Sequence, residues 1–477
     1  MEITPQMLPI LILIPFLGFI FLLLARDDTR YSVRNIIMAT EFIICTNIIM
    51  LGRFFSQLDI GQQSVQFLTT YKLFEKPKIE LAFGLDVFSL MMLVAIHVIF
   101  LISIPFSVKK NAKVMSCLSL LMLGMMTGFL VSADIFSFYL FFAMPLIPLF
   151  LQIGSIEEVR KSRWMYRFFI YNFIGMIILF LCVCALYHYQ KGENIIFLRG
   201  VARLRLTHWQ EYWIWGGLFV AFVSRIPIWP FHYWIASMTS AIKNPLIFIQ
   251  INLFPLTGVY GLIRFCPKTV PESVSYLLIG LEIIAAISML FIAMIGLINK
   301  DNRYKLFSFI TVYYIIYLQG ALLPTSRILL NIGYSLFAFL IIMCVLELLA
   351  AYVREEQQKY DLHLYGIICN TPRLGFLYAF FTLSAVGFPL SALFVNNFVI
   401  LSYVFNYNFN LGIMMMLALI IASASLLKEL YLLKDNRYVQ PGSVCIMDLS
   451  LKAFYGLSII AILLLISFFN PLLILGV

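Results

Sequence analysis

The sequence predicts an all-α polytopic membrane protein with about fourteen transmembrane helices, and three observations predict it. Of 477 residues, 62% are hydrophobic and 12% are charged, against about 45–50% apolar and about 25% charged in a soluble domain. The apolar residues lie in long continuous runs, each sufficient to cross a bilayer at about 20 residues per helix. The polar stretches between those runs are mostly short. A soluble enzyme, a disordered chain, a collagen and a disulfide-knotted secreted domain are excluded by the first observation. A membrane β-barrel is excluded by the second, because its strands alternate instead of running apolar throughout.

The runs fall at 7–25, 36–53, 85–106, 114–131, 134–154, 168–188, 213–235, 242–265, 274–298, 305–323, 328–352, 374–404, 411–433 and 452–475. The first is too long for the apolar part of a cleavable signal and has no cleavage pattern, so it reads as a span. The gaps 54–84, 189–212 and 354–373 are the only candidates for structured loops. The eight cysteines show no metal-ligand spacing, and Cys45, Cys182, Cys184 and Cys344 sit inside apolar runs. They read as small hydrophobes. Loops after the odd-numbered spans carry 20 Lys and Arg, those after the even-numbered spans 11. The basic side is therefore expected to be cytoplasmic, or matrix-facing in an organelle, with both termini on the other side. The net charge of +10 fits loops against an anionic leaflet, and no nucleic-acid partner is expected.

Two spans carry prolines near their middles. Span seven reads Ser224-Arg225-Ile226-Pro227-Ile228-Trp229-Pro230-Phe231-His232, and span twelve reads Val386-Gly387-Phe388-Pro389-Leu390-Ser391. Proline removes a backbone donor and clashes with the preceding turn, and freed backbone groups in a bilayer need partners inside the protein. If spans four to eight form one unit and nine to thirteen another, each broken helix is fourth of five. Five is odd, so the second unit runs in the opposite sense, and broken helices in matching positions point to a transport site. The expected organisation is three N-terminal helices in 1–112, a five-helix repeat in 113–272, an inverted repeat in 273–440 and a last helix in 441–477.

The residues around these breaks resemble a family. Ala221-Phe222-Val223-Ser224-Arg225-Ile226-Pro227, then Pro230-Phe231-His232-Tyr233-Trp234, and then Gly258-Val259-Tyr260-Gly261-Leu262-Ile263-Arg264-Phe265 resemble signatures of the antiporter-like membrane subunits of respiratory complex I. Phe138-Tyr139-Leu140-Phe141-Phe142 with Leu146-Ile147-Pro148, Gly84-Leu85-Asp86, Gly387-Phe388-Pro389 and Phe394-Val395-Asn396-Asn397-Phe398 are similar to further motifs of that family, nearest the chain M or chain 4 type. The resemblance covers essentially the whole chain. It implies a subunit of a proton-translocating assembly in a bacterial cytoplasmic or mitochondrial inner membrane, beside other membrane subunits, moving protons or cations and binding no cofactor of its own. The same superfamily includes subunits of cation/proton antiporters, membrane hydrogenases and an inorganic-carbon transport complex. A purely structural paralogue and a stand-alone transporter are the other readings.

The resemblance also implies a mid-membrane relay of charges, and here the sequence departs from it. The expected Glu of span five falls on Ala143, the Lys of span eight on Leu256 and the Glu of span twelve on Asn397. The histidines of spans ten and eleven fall on Tyr314 and Tyr334. The Lys of span seven is replaced by Arg225, which stays protonated at accessible pH. Tyr139, backbone carbonyls freed by Pro227 or water are expected to solvate it. Proton conduction along the ancestral route is therefore not expected.

The remaining ionisable candidates for an ion path are Glu282 in span nine, Glu347 in span eleven and Lys428, beside Glu429, in span thirteen. Glu282 and Glu347 carry a second reading, as groups hydrogen-bonded at a subunit contact or snorkelling outward, and Lys428 with Glu429 as an interfacial pair. Glu282 is the first to test. Glu41 and His97 carry the same two readings. His232 is expected to bond the broken backbone, the alternative being contact with water or a proton. Asp86 and Asp134 read as anchors at helix starts.

Overall fold

The structure is a computed structural model that describes residues 7–25, 30–59, 64–74, 79–107, 111–155, 163–189, 206–234, 242–265, 274–299, 301–323, 327–360, 371–389, 391–434 and 448–466. It is a bundle of helices, as its apolar runs demand: α1 (Leu8–Leu24), α2 (Arg30–Gln57), α3 (Val87–Ser107), α4 (Ala112–Val131), α5 (Ile135–Ala143), α6 (Leu146–Gly154), α7 (Arg163–Tyr189), α8 (His208–Val223), α9 (Pro245–Asn252), α10 (Phe254–Phe265), α11 (Ser275–Ile298), α12 (Asn302–Leu322), α13 (Arg327–Tyr360), α14 (Pro372–Val386), α15 (Ala392–Tyr407), α16 (Phe409–Lys434) and α17 (Leu451–Ile466). Among the described residues, ten helical segments are long and apolar enough to cross a membrane, and four shorter apolar helices accompany them. The chain is a multi-pass membrane protein.

The segment 54–84 does carry structure. Strands β1 (Gln66–Phe74) and β2 (Ile79–Leu85) form an antiparallel hairpin with Tyr71 opposite Leu81 and Lys72 opposite Glu80. A helix-period reading could not place it. The hairpin is stitched to the bundle by Asp134. That carboxylate caps α5, accepting from the amides of Phe136 and Ser137 at 2.9 and 2.8 Å, and also accepts from the Ala82 amide of β2 at 2.7 Å.

At the bundle centre lies α12, all of whose spanning window is buried. It is the least apolar of the ten segments, which fits a helix wrapped by protein: lipid-facing surface must be apolar, whereas a protein-wrapped helix can carry polar groups that find partners. The outer helices show the complement. Phe173, Leu181, Ile287 and Phe291 on α7 and α11 are more than half exposed or close to it, as lipid-facing residues of a spanning helix are.

Among the described residues four spans are interrupted, two more than the prolines of spans seven and twelve suggest. Span five breaks at Met144 and Pro145 between α5 and α6, and span eight breaks at Leu253 between α9 and α10, ahead of Pro255. Span twelve ends its first half at Gly387, whose φ of +82° favours glycine. The Phe388 amide reaches back to the Leu383 carbonyl at 3.0 Å and the Gly387 amide to Ser384 at 3.2 Å, a glycine-terminated helix end. Pro389 follows, before α15 starts after Ser391.

Candidate functional site

The break in span seven builds the first part of the site. After α8, tightened turns run through Ser224, Arg225 and Ile226 to Pro227, with the Arg225 amide bonded to Phe222 at 3.2 Å and the Ile226 amide to Val223 at 2.9 Å. Beyond Pro227 the backbone donor of Trp229 is met by Ser288 Oγ of α11 at 3.0 Å. Pro230 leads into a short 3-10 turn, Phe231–Trp234. Gly175 of α7 and Gly258 of α10 let both neighbours close on the break: a Cβ on Gly258 would stand 2.5 Å from the Phe222 carbonyl, and one on Gly175 would collide with Ser224 Oγ.

Arg225 is 1% exposed. Its Nη2 donates to the Phe142 carbonyl, near the end of α5, at 2.8 Å. The guanidinium carbon lies 4.1 Å from the Phe142 ring centroid and 4.8 Å from that of Phe254, distances within cation–π range. Nε and Nη1 have no hydrogen-bond partner among the described residues. The cation is therefore held by one carbonyl and two aromatic faces. That carbonyl comes from span five and not from the residues before Pro227. Tyr139 is not the solvating group either: its ring is 5.3 Å from that of Phe180, on the α7 side. Ala143 follows Phe142 directly, and Leu256 is buried two residues beyond Phe254.

Elsewhere in the bundle many of the buried contacts are neutral hydrogen bonds, including those of Tyr314 and Asn397, two positions where the resemblance implies charges. Gln250 and Gln152 both donate to Ser119 Oγ, at 2.9 and 3.2 Å. Tyr314 donates to the Asn252 carbonyl at 2.6 Å. Asn397 donates to Tyr313 Oη at 2.8 Å, and Tyr313 donates to the Ala385 carbonyl, beside the span-twelve break, at 2.9 Å. Tyr334 is half-buried on α13. Amides do not titrate and a phenol ionises only near pH 10. Such a string holds the helices together but has no group that alternates between charge states at neutral pH.

The other candidates lie apart from Arg225. Glu282 is buried near the end of α11 that begins at Ser275, and its carboxylate is hydrogen-bonded to Tyr407 at the end of α15. His232 departs from expectation. Its Nδ1 has no partner among the described residues and its ring packs edge-on to Phe291, centroids 5.8 Å apart; Ser288, not singled out in the sequence, bonds the broken backbone instead. Lys428 also departs: its side chain is exposed, while the next residue, Glu429, turns inward and accepts from Tyr378 Oη at 2.7 Å. Neighbours on a helix lie about 100° apart, so the two side chains leave α16 in different directions. Glu347 is 1% exposed and pairs with Arg354 at 2.6 Å.

His97 is buried on α3. Its Nδ1 lies 2.8 Å from the Leu93 carbonyl and its Nε2 lies 3.3 Å from Asn47 Nδ2. A carbonyl on one side and an amide donor on the other suit a neutral ring, so His97 is a satisfied structural contact. Glu41 is half-buried on α2.

At the opposite end of the bundle from Glu429, Asp86 forms a two-pronged ion pair with Arg264 and caps α3 through the Ser89 amide at 2.8 Å. Arg264 also donates to Tyr260 Oη at 2.6 Å. Burial acts to raise the Asp86 carboxyl, but the Arg264 guanidinium outweighs it and holds the group below the usual carboxylate range.

Comparison with known proteins adds lineage to this geometry. Residues 132–422 match the profile of a family described as NADH:quinone oxidoreductase/Mrp antiporter, TM. NADH-quinone oxidoreductase subunit M of Rickettsia prowazekii (strain Madrid E) is 23% identical over 475 residues, covering 97% of this chain and 94% of the relative. NADH-ubiquinone oxidoreductase chain 4 of Chondrus crispus is 24% identical over 423 residues, covering 86% and 84%. Among solved structures, a chain of respiratory complex I from Thermus thermophilus with bound NADH superposes with a TM-score of 0.84 at 21% identity, over 98% of this chain and 96% of that one. A chain of the membrane-bound sulfane sulfur reductase, an archaeal respiratory membrane complex, superposes with a TM-score of 0.77 at 17% identity, over 96% and 75%. The two superpositions show a shared fold.

Proposed function

The chain belongs to the NADH:quinone oxidoreductase/Mrp antiporter transmembrane family, and on that premise we propose that it is an antiporter-like membrane-arm subunit of a multi-subunit respiratory complex, of the subunit M or chain 4 kind. It has no redox centre of its own in this reading, sits in a bacterial or organellar inner membrane beside other membrane subunits, and keeps both termini on the face away from most of its Lys and Arg. Its contribution is structural. It extends the arm, while its own central route no longer relays protons.

One observation carries the last point: Arg225 is buried with no carboxylate partner among the described residues, held by the Phe142 carbonyl and two phenylalanine rings. A relay needs a group that gives up its proton, and a guanidinium does not. The neutral contacts of Asn252, Tyr314, Tyr313 and Asn397 support the same reading.

The test is isolation from native membranes through an affinity tag, followed by reconstitution. Copurification with NADH-oxidising and quinone-binding subunits is expected, together with unchanged proton translocation in an Arg225→Met variant that still assembles. A stable lone chain with uptake activity sinks the subunit reading. Loss of translocation in an assembled Arg225→Met complex sinks the inactive-centre reading.

A further inference from the structure

A groove of about 970 Å³ lies between α7, α8 and α11. Helix α8 packs on α7 and α10, while α11 packs on α12 and α16, so α8 and α11 stand apart with the groove between them. It opens outward, since Leu181 and Val220 in its lining are exposed on the surface of the bundle. Two glycines keep its walls low. A Cβ on Gly280 would meet nothing within 4 Å, and one on Gly216 would meet only Leu277, at 3.6 Å. Among the described residues no charged side chain lines the groove. Its size is at the upper end of the range for ligand sites, about 300–1,000 Å³.

The groove is one leaflet deep. Below its rim it follows α8 from Trp213 to Val223, α11 from Tyr276 to Ile284 and α7 from Ala185 to Ile178. At about 1.5 Å per residue these walls are about 15, 12 and 10 Å long, against about 15 Å for half of a hydrocarbon core. The shallow end is aromatic. Trp209, Tyr212 and Tyr276 stand there, and Trp209 packs edge-on to Trp213 with centroids 5.5 Å apart. Indole and phenol rings sit by preference at headgroup level. The deep end meets Ile228, Trp229 and Pro230 of the span-seven break. There the Trp229 amide is tied at 3.0 Å to Ser288 Oγ, one turn past Ile284, which draws the break and α11 together. A transmembrane helix of a neighbouring subunit needs about 30 Å of wall, twice what the groove offers. An acyl chain from one leaflet needs half as much.

We propose that the groove is a binding site for one glycerophospholipid, taken from the leaflet at the end where α8 and α11 begin. Its acyl chain lies between α8 and α11, over Gly216 and Gly280, and its tip reaches the break at Trp229. Its head rests among Trp209, Tyr212 and Tyr276, where ring N–H and O–H groups can donate to it. Atoms lining a gap forfeit dispersion contacts, and the chain restores them where no side chain does. It also braces the break from the lipid side. The site is independent of which complex holds the protein.

Photo-labelling tests this on the protein isolated from its membranes with its accompanying subunits and placed in nanodiscs. The probe is a glycerophospholipid carrying a diazirine at the middle of one acyl chain, with attachment points mapped by peptide mass spectrometry. Labelling of the α8 and α11 walls is expected to exceed that at Phe173 and Phe376, two exposed residues outside the groove. Gly280→Leu and Gly216→Leu each put a side chain into the open space and should reduce groove labelling to the level of those two residues, which itself stays constant. Should neither variant assemble, exchange in the wild type decides: lipid bound beforehand must stay in the groove through a transfer into unlabelled nanodiscs that clears Phe173 and Phe376. Equal labelling of groove and outer faces, which is bulk lipid only, overturns the proposal. So does groove labelling that survives in the assembled leucine variants or, in their absence, is cleared as fast as the outer faces. A cross-link from the α8 or α11 wall to another subunit in place of lipid overturns it as well.

Discussion

Restoring a carboxylate at Ala143 beside Arg225 makes a double-mutant cycle whose outcome the geometry sets. Arg225→Met alone removes one hydrogen bond from a charged donor, worth about 1.5–3 kcal/mol, and two ring contacts worth about 0.5–2 kcal/mol each. It also removes a desolvation penalty of several kcal/mol, so the net effect is expected to lie within about 2 kcal/mol of zero. Ala143→Glu in that background buries an unpaired carboxylate and is expected to cost about 3–5 kcal/mol. In the wild type the same carboxylate lands one residue from the carbonyl that Arg225 already holds at 2.8 Å. The orphaned Nε and Nη1 gain an acceptor, and most of that cost is offset. Ala143 is only half-buried, which places the coupling at the lower end, about 3 kcal/mol. Resistance of the four assembled variants to thermal unfolding, with subunit retention as readout, measures it. A coupling below about 0.5 kcal/mol, the scatter of independent sites, refutes the claim that Arg225 is a buried charge short of partners.

Four further substitutions have outcomes set by the contacts they break. Ser288→Ala leaves the Trp229 amide without the hydroxyl now 3.0 Å away and should cost about 1–3 kcal/mol, read as a lower unfolding midpoint; no change means water replaces the hydroxyl. Gly258→Ala drives a methyl against the Phe222 carbonyl and should destabilise by about 1–3 kcal/mol, whereas the same change at Gly280, with open space around it, should be near neutral. Asp134→Ala removes a helix cap and orphans the Ala82 amide, about 3 kcal/mol together, and should speed proteolysis of the hairpin ahead of the helices. The folded-state carboxyl of Asp86 titrates below its unfolded value, so its stabilisation is full above the unfolded range near pH 4 and fades as pH falls below it. Asp86→Asn should therefore flatten the acid limb of the stability profile and leave its shape between pH 6 and 8 unchanged.

Much of this was legible in residues and some was not, for identifiable reasons. Apolar runs locate helices well because a bilayer admits few alternatives: among the described residues the predicted runs coincide with helical segments, residues 467–475 of the last run lying outside them. The breaks in spans seven and twelve were visible because Pro227, Pro230 and Pro389 interrupt otherwise clean runs. Those in spans five and eight were visible only in hindsight, as Pro145 and Pro255 sit where a span continues on both sides. The hairpin escaped because a 3.6-residue period has nothing to say about Thr69 to Leu85. At the site, the absence of charge at Ala143, Leu256 and Asn397 was plain, since identity is all such a statement needs. What holds Arg225 was not, because a backbone carbonyl leaves no mark in composition. The same applies to Ser288, an ordinary helix serine until it meets Trp229. The inward turn of Glu429 in place of Lys428 depends on helix rotation, which one-residue resolution in an apolar run does not fix.

The bond between Arg225 and the Phe142 carbonyl has an electrical meaning as well. Phe142 is the last residue but one of α5, so its carbonyl belongs to the terminus where aligned peptide dipoles leave roughly half a negative charge. A helix end thus stands in for the carboxylate that is absent at Ala143. A dipole, unlike a carboxylate, has no neutral form to adopt. The counter-charge opposite Arg225 cannot be switched off by a proton, and the contact between spans five and seven works as a permanently closed clasp.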